Sequence, residues 1–393
     1  MDKIKLPYLF IIIAILFFGL FFFIETNNNS FLLNDFKVYY SASQVMLDGG
    51  QPYGVAFGLS SGFFKYSPVT LFLFTPYTLF SFETAKLIHF MAIAIFSIGS
   101  FLLCFSLCNR YFETKLSKRI GFLSLLLLIS VVHLTRELHL GNINMIMVFL
   151  FLLAIYLMQN NKITWSALIF AVLVLLKPYF LILILPLIVA RNWKLIAFIW
   201  VIIPVLILLP ALFLGFDKNT ELLKGWIDIM GAHNSAAISE HTFSSIFYSY
   251  TGIILESHWQ LFFIGIVGAI YGLARLKELA GTKSYDQKKQ LVDFFILLAL
   301  IPNLVITDSQ HFLFSIPLIS LILGHLRQEF KWYLITTFII LLFFYGANAN
   351  DLLGNQLSNK LDTFSTIGVS NLLLIFFLIY LIRKKEKEIS ISS

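Results

Sequence analysis

Charge is what this sequence has least of. Asp, Glu, Lys and Arg make up 12% of its 393 residues, against roughly 25% in an ordinary soluble domain. Cysteine is nearly missing too. Cys104 and Cys108 are the two present, four apart in one apolar run, so a disulfide framework is excluded and no second pair exists to complete a metal site. Both read as packing residues on one helix face. No G-x-x-x-x-G-K-[ST], G-x-G-x-x-G or H-E-x-x-H occurs, which leaves no sequence signal for the phosphate-loop, dinucleotide or zinc-protease classes. D-x-D is absent as well.

What fills the chain instead is apolar. It is 59% hydrophobic and 17% aromatic, with 43 Phe and 16 Tyr, and its mean hydropathy is +0.87. No soluble core absorbs that much apolar surface, so the fold class is an all-α polytopic membrane protein. The first run, 6–24, follows Lys3 and Lys5 and lacks a small-residue cleavage site, which predicts a retained first helix with a cytoplasmic N-terminus. Further runs cover 68–80, 84–108, 119–133, 143–158, 164–176, 178–190, 194–215, 258–273, 291–306, 312–326, 332–347 and 368–382. Several fall short of the ~20 residues that a straight crossing needs. Pro68, Pro76, Pro178 and Pro186 mark 68–80 and 164–190 as half-helices or kinked segments, and 11 to 13 crossings are expected.

The polar stretches alternate in character. A cytoplasmic set comprises 109–119 (Arg110, Lys115, Lys118, Arg119), 191–194, 274–290, 327–331 and the tail from Arg383. The other set comprises 25–67, 134–142, 216–257, 307–311 and 348–367. With the N-terminus, 81–86, 159–163 and Asp293 also counted inside and Lys177 outside, 21 basic and 9 acidic residues fall inside, and 7 basic and 12 acidic outside. The isoelectric point near 9.2 therefore reports membrane topology and not a nucleic-acid partner. No internal repeat is visible, which disfavours a transporter built from repeats. The organisation expected is one membrane domain over 1–383, with a first outer loop at 25–67, a second at 216–257, and a short solvated cytoplasmic tail at 384–393 that anchors the last helix at the lipid surface.

Chemistry-bearing residues gather in the outer set. Residues 34–48 read as a short amphipathic helix capped by Asn34 and ended by Gly49-Gly50. Its apolar face of Phe36, Tyr39, Tyr40, Met46 and Leu47 suits the interfacial layer. Asp35 falls in its first turn. The plain alternative for Asp35 is a carboxylate favoured at the positive helix end, worth about 0.3–1 kcal/mol. The loop that follows, through Pro52, Tyr53, Lys65, Tyr66 and Pro68, is equally an ordinary aromatic belt. His133, Arg136, Glu137 and His139 lead into Gly141-Asn142-Ile143-Asn144, dense polarity for a tight turn. Lys177 stands between two apolar stretches, where a lysine costs ~2.5–3.5 kcal/mol on insertion scales and points to function; snorkelling to the interface is the alternative. His233, Asn234 and His241 form one further cluster, and Thr307-Asp308-Ser309-Gln310-His311 another. No two of His233, His241 and His311 stand at i, i+3 or i+4, so phosphate or sugar hydrogen bonding suits them better than zinc.

In order and spacing these residues resemble glycosyltransferase family 87. The resemblance rests on Asp35-Phe36-x-x-Tyr39-Tyr40-x-Ala42, Gly50-x-Pro52-Tyr53, Tyr66-x-Pro68, Gly141-Asn142-Ile143-Asn144, Lys177-Pro178, Asn234-Ser235-Ala236 and His311-Phe312. It runs over about 30–320 and is strongest at 34–68 and 141–194. Asn142 stands where the family pattern has glutamine, and the Asn234 region is shifted by one residue. The resemblance implies a GT-C-like bundle that moves a hexose, mannose being one candidate, from a polyprenyl-phosphate donor to a lipid or glycan acceptor. It implies inversion of configuration, with Asp35 as general base. Lys177, Arg136 and His311 would hold the donor phosphate. Tyr39, Tyr40, Lys65, Tyr66, Asn142, Asn144, His233 and Asn234 are substrate-binding candidates. No cofactor and no metal are expected, because a phosphate monoester leaving group needs no nucleotide-diphosphate clamp, consistent with the missing D-x-D. The expected place is the plasma membrane, with both termini cytoplasmic and the site outside. A lipid or solute transporter is the alternative from another class. A polysaccharide polymerase or ligase with a diphosphate-linked donor is the third reading.

Overall fold

The computed structural model describes residues 7–58, 62–113, 119–236, 241–255, 258–305, 308–347 and 350–392; the side chains of 232–236, 258, 351–352 and 389–392 are not described. Lys3, Lys5, Lys115, Lys118 and Thr307 therefore lie outside the described residues. The described chain is helical, with no strand and a single bridge between Ala56 and Phe63.

The helices run α1 (Tyr8–Asn27), α2 (Asn34–Leu47), α3 (Pro68–Phe74), α4 (Phe82–Phe112), α5 (Arg119–Leu140), α6 (Asn144–Gln159), α7 (Ile163–Leu176), α8 (Leu185–Val189), α9 (Trp193–Leu208), α10 (Ala211–Leu214), α11 (Phe216–Ala236), α12 (Phe243–Thr251), α13 (His258–Ala274), α14 (Leu276–Leu279), α15 (Gln287–Leu304), α16 (Ile316–Gln328), α17 (Trp332–Tyr345), α18 (Asn350–Leu353), α19 (Asn355–Thr363) and α20 (Thr366–Ser392). Short 3₁₀ turns at Thr75–Leu79, Pro178–Ile184 and Ser309–Ser315 join α3 to α4, α7 to α8, and α15 to α16. Among the described residues, six segments are long and apolar enough to cross a membrane: Tyr8–Asn27, Phe82–Phe112, Arg119–Leu140, Trp193–Leu214, Ser309–Gln328 and Thr366–Glu388. Shorter apolar helices include Pro68–Leu79, Asn144–Gln159, Ile163–Leu176 and Pro178–Val189, so the proline-marked runs are broken as expected. The protein is an all-α polytopic membrane protein.

Two compact units emerge from the chain's own packing. One comprises Ile15–Ser100 and Thr135–Ala237. In it α2 packs on α3 and the following 3₁₀ turn, while α7 packs between α6 and α9. The sequence reading of α2 needs two corrections. Asn34 is its first helical residue and not its cap, because Leu33 takes the N-cap position with a left-handed φ of 48° and no side-chain cap bond. Its buried residues are Phe36, Val38, Tyr39, Tyr40, Ala42, Ser43 and Met46, whereas Leu47 is exposed. α3 and its 3₁₀ turn cover the face expected to lie in lipid, so α2 is held by protein.

A third correction concerns His133, Arg136, Glu137 and His139, expected in a loop. They belong to α5, which continues to Leu140. It stops at Gly141, whose φ of +69° carries the chain out of the helix while the Gly141 and Asn142 amides donate back to the Glu137 carbonyl at 2.9 and 3.2 Å. A left-handed glycine satisfying the last carbonyls is a standard helix stop.

The other unit comprises Met1–Ala14, Phe101–Leu134 and Ile238–Ser393. Cys104 and Cys108 are buried there, with Cys108 Sγ 3.2 Å from Ser320 Oγ. Two amides tie its core together. Asn303 Nδ2 donates to the carbonyls of His241 and Gly368 at 3.0 and 3.1 Å. Asn371 Nδ2 donates to Asn303 Oδ1 and to the Ala299 carbonyl, both at 2.7 Å, one turn before Pro302 interrupts the ladder of α15. Residues 384–392 continue α20, and Lys384 reaches Glu329 at 3.3 Å.

Gly368 makes that core possible. A Cβ there would stand 2.2 Å from the His241 carbonyl oxygen, a backbone atom that cannot swing aside. Gly368→Ala is expected to lower stability by about 1–3 kcal/mol, read as an earlier thermal unfolding transition in detergent.

Candidate active site

The site grows from the turn that ends α5. Glu137, fully buried in the last turn of α5, points its carboxylate at the start of α6. Oε1 accepts the Met145 amide at 3.0 Å and Oε2 accepts Asn144 Nδ2 at 2.9 Å. A carboxylate at a helix N-terminus takes up orphan N–H groups and meets the positive end of the helix dipole. The amide of Asn144 is thereby fixed, and its Oδ1 accepts Lys177 Nζ at 2.7 Å.

Lys177 reaches this position because of Pro178. A residue before proline is pushed out of the helical region, and Lys177 has φ −143° and ψ 105°. α7 ends there, and the buried ammonium turns towards α6 instead of following the helix axis. Lys177 and Asp35 both stand within electrostatic range of Glu137.

Asn142 makes the second link. Its Nδ2 donates to Asp35 Oδ2 at 2.6 Å, and its Oδ1 accepts the Ile143 amide at 2.7 Å. The half-buried carboxylate of Asp35, from the first turn of α2, is thus oriented by the same four-residue turn that holds Lys177. Gly141 is what lets α2 come so close. A Cβ on it would lie 2.6 Å from Leu33 Cδ2 and 3.0 Å from Phe36 Cβ.

Two histidines brace the turn. His89 of α4 stacks on Phe36, with ring centres 4.2 Å apart. Its Nε2 donates to the Gly141 carbonyl at 3.0 Å, which leaves Nδ1 to accept from the Tyr77 hydroxyl at 3.3 Å. His139 Nδ1 meets Glu25 Oε2 at 2.8 Å and ties the end of α5 to the end of α1.

Aromatic residues from the first loop line the same region. The Tyr39 and Tyr66 hydroxyls are 3.1 Å apart, and Tyr53 donates to the Tyr66 carbonyl at 2.8 Å. Burial, then Tyr66 and Asp35, push the Tyr39 phenol well above its ordinary value, so it stays neutral. α11 closes over this loop: Trp226 Nε1 donates to the Lys65 carbonyl at 3.1 Å, and Gln51 Nε2 bonds Glu221 at 3.3 Å.

Of the residues singled out in the sequence, the structure brings Asp35, Tyr39, Tyr66, Asn142, Asn144 and Lys177 into one cluster. Tyr40 lies beside it, donating to the Phe80 carbonyl at 2.8 Å. Arg136 is exposed on α5 and has no polar partner among the described residues. His311 belongs to the other unit, where it closes a capping box with Asp308. His233 and Asn234 fall on the last turns of α11, and their side chains lie outside the described residues. No trio of His, Cys, Asp or Glu is placed to hold a metal ion among the described residues. Sequence reasoning passed over the bracing roles of Glu137 and His89. The signal existed, since each is an ionisable residue inside an apolar helix.

Residues 63–303 match glycosyltransferase family 87. The chain belongs to this family. With its membrane helices, it is a membrane glycosyltransferase. No curated protein matches the chain. The family 87 match takes in Asn142, Asn144 and Lys177, whereas Asp35 and α2 precede it and His311 follows it.

Asn144 is the joint between a buried acid and a buried lysine. Asn144→Leu removes the amide that links them and is expected to lower stability by about 1–3 kcal/mol, measured by thermal unfolding in detergent. Asn142→Ala leaves that pair intact and is expected to depress turnover far more than stability, seen as a fall in kcat at a nearly unchanged Tm.

Proposed function

We propose that this family 87 enzyme transfers a hexose from a polyprenyl-phosphate donor to a lipid-linked or glycan acceptor on the non-cytoplasmic face of the plasma membrane, with inversion. The observation that carries this reading is the shared turn: Asn142 holds the carboxylate of Asp35 at 2.6 Å while Asn144 holds the ammonium of Lys177 at 2.7 Å. A base and a cation on one rigid support suit a displacement in which one end of the reaction loses a proton and the other gains negative charge.

Asp35 takes the proton from the acceptor hydroxyl as its oxygen attacks the anomeric carbon. The bond from that carbon to the phosphate oxygen breaks, and polyprenyl phosphate departs. The donor phosphodiester carries one negative charge and the departing monoester carries two, so charge develops at the leaving group. Lys177 offsets it there, and a fixed cation in a dry site stabilises such charge without reorganising. The neutral phenols of Tyr39 and Tyr66, with Lys65 and Tyr40 nearby, position the substrates. Arg136, His311, His233 and Asn234 are further candidates for substrate contact. One added charge is within the reach of a lysine, so the reaction as proposed needs neither metal nor cofactor.

Purified protein offered a panel of polyprenyl-phosphate hexoses with a lipid extract is expected to release polyprenyl phosphate, with undiminished rate in EDTA. Asp35→Asn keeps the shape of the side chain and is expected to lower the rate by roughly 10²–10⁴-fold, the usual worth of a positioned base. Full activity in that variant, or polyprenyl diphosphate as the product, overturns the reading.

A further inference from the structure

Tyr179 follows Lys177 by two residues, in the 3₁₀ turn that begins at Pro178. Its hydroxyl oxygen is buried and has no hydrogen-bond partner among the described residues. The surrounding phenols are all engaged: Tyr39 with Tyr66, Tyr53 with the Tyr66 carbonyl, Tyr40 with the Phe80 carbonyl, and Tyr77 with His89. Tyr179 is the exception in a cluster that otherwise satisfies its polar groups. It is also close to the chemistry. Lys177 Nζ lies 5.9 Å from the centre of its ring, and Tyr66 is within electrostatic range of its hydroxyl.

A buried hydroxyl without a partner destabilises the protein that carries it, whereas phenylalanine fits the same space without that cost. The unmade bond is therefore a requirement that the ligand-free protein leaves open. What completes it has to enter beside Lys177, so it is an acceptor that tolerates or prefers a neighbouring positive charge. A phosphoryl oxygen has this character. A phenol donates one O–H to it and adds no charge, dividing the work with Lys177: the lysine supplies charge and the tyrosine supplies direction.

We infer that the Tyr179 hydroxyl is a substrate-contacting group that donates its hydrogen bond to a phosphoryl oxygen of the lipid-borne donor, and of the polyprenyl phosphate left after transfer. The inference rests on the donor proposed above and adds a contact that the motif residues do not supply.

Tyr179→Phe separates this role from a structural one, because removing an unsatisfied group and removing a bracing bond move stability in opposite directions. The expected result has three parts, all measured on the full-length protein in nanodiscs. The ligand-free variant unfolds at the wild-type temperature or above it. Its Kd for polyprenyl phosphate, used alone as the probe, rises about tenfold. Its kcat/KM for the sugar donor falls by a similar factor, while KM for the acceptor stays put. A variant that binds polyprenyl phosphate and transfers sugar as well as wild type overturns the inference and leaves the proposed reaction standing. A clear fall in Tm also overturns it, since the hydroxyl then braces the fold. Wild-type protein that neither binds polyprenyl phosphate nor releases it from any donor overturns the donor assignment and this contact together.

Discussion

The unit that holds the candidate site leans on one electrostatic constraint, the burial of opposite charges in a chain that has few charges to spend. Taking an ion out of water costs several kcal/mol, and only close, well-directed partners offset it. Here the partners are two asparagine amides on a single turn. Asn144 presents its oxygen to Lys177 and its NH₂ to Glu137, so one dipole serves both ions. Asn142 presents its NH₂ to Asp35. Because each amide is pinned by a second bond, to Glu137 or to the Ile143 backbone, the carboxylate of Asp35 and the ammonium of Lys177 inherit their rigidity.

The surrounding helices make this turn possible. Gly141 ends α5 in a conformation that glycine adopts freely, and its missing side chain lets Leu33 and Phe36 close in. Pro178 ends α7 just where Lys177 is needed. His89, held between Tyr77 and the Gly141 carbonyl, stacks on Phe36 and so fixes α2 against the turn. A break, a close approach and a ring stack from separate segments thus converge on the same few ångströms. Tyr179 sits at the edge of that arrangement with its hydroxyl unpaired, which is the kind of local inconsistency that folded proteins tolerate chiefly at working sites.

Much of this was legible beforehand. Lys177 announces itself as a charge between two apolar stretches, Asp35, Asn142 and Asn144 stand in the motifs that carry the family resemblance, and the prolines correctly marked the broken runs. Other elements were read less well. Residues 133–140 look like a loop because they are polar, yet α5 carries them: their polarity serves inward contacts, Glu137 to α6 and His139 to Glu25. The face of α2 looks interfacial because it is aromatic and amphipathic, yet α3 covers it. Hydropathy shows that a residue avoids water and does not show whether lipid or protein replaces it. The apolar window of Tyr8–Asn27 is 17% buried and that of Ser309–Gln328 is 94% buried, although both read as spanning segments.

The sequence by itself determined the class of the protein, the approximate positions of its helices and the residue types able to do chemistry, because composition, periodicity and proline act locally. It also carried the family resemblance that the match over 63–303 bears out. Only the tertiary structure decided which of those residues meet. Asn142 is 107 positions from Asp35, and Asn144 is 33 from Lys177. Pairings over such separations are set by how helices pack, and packing depends on the whole set of side chains at once.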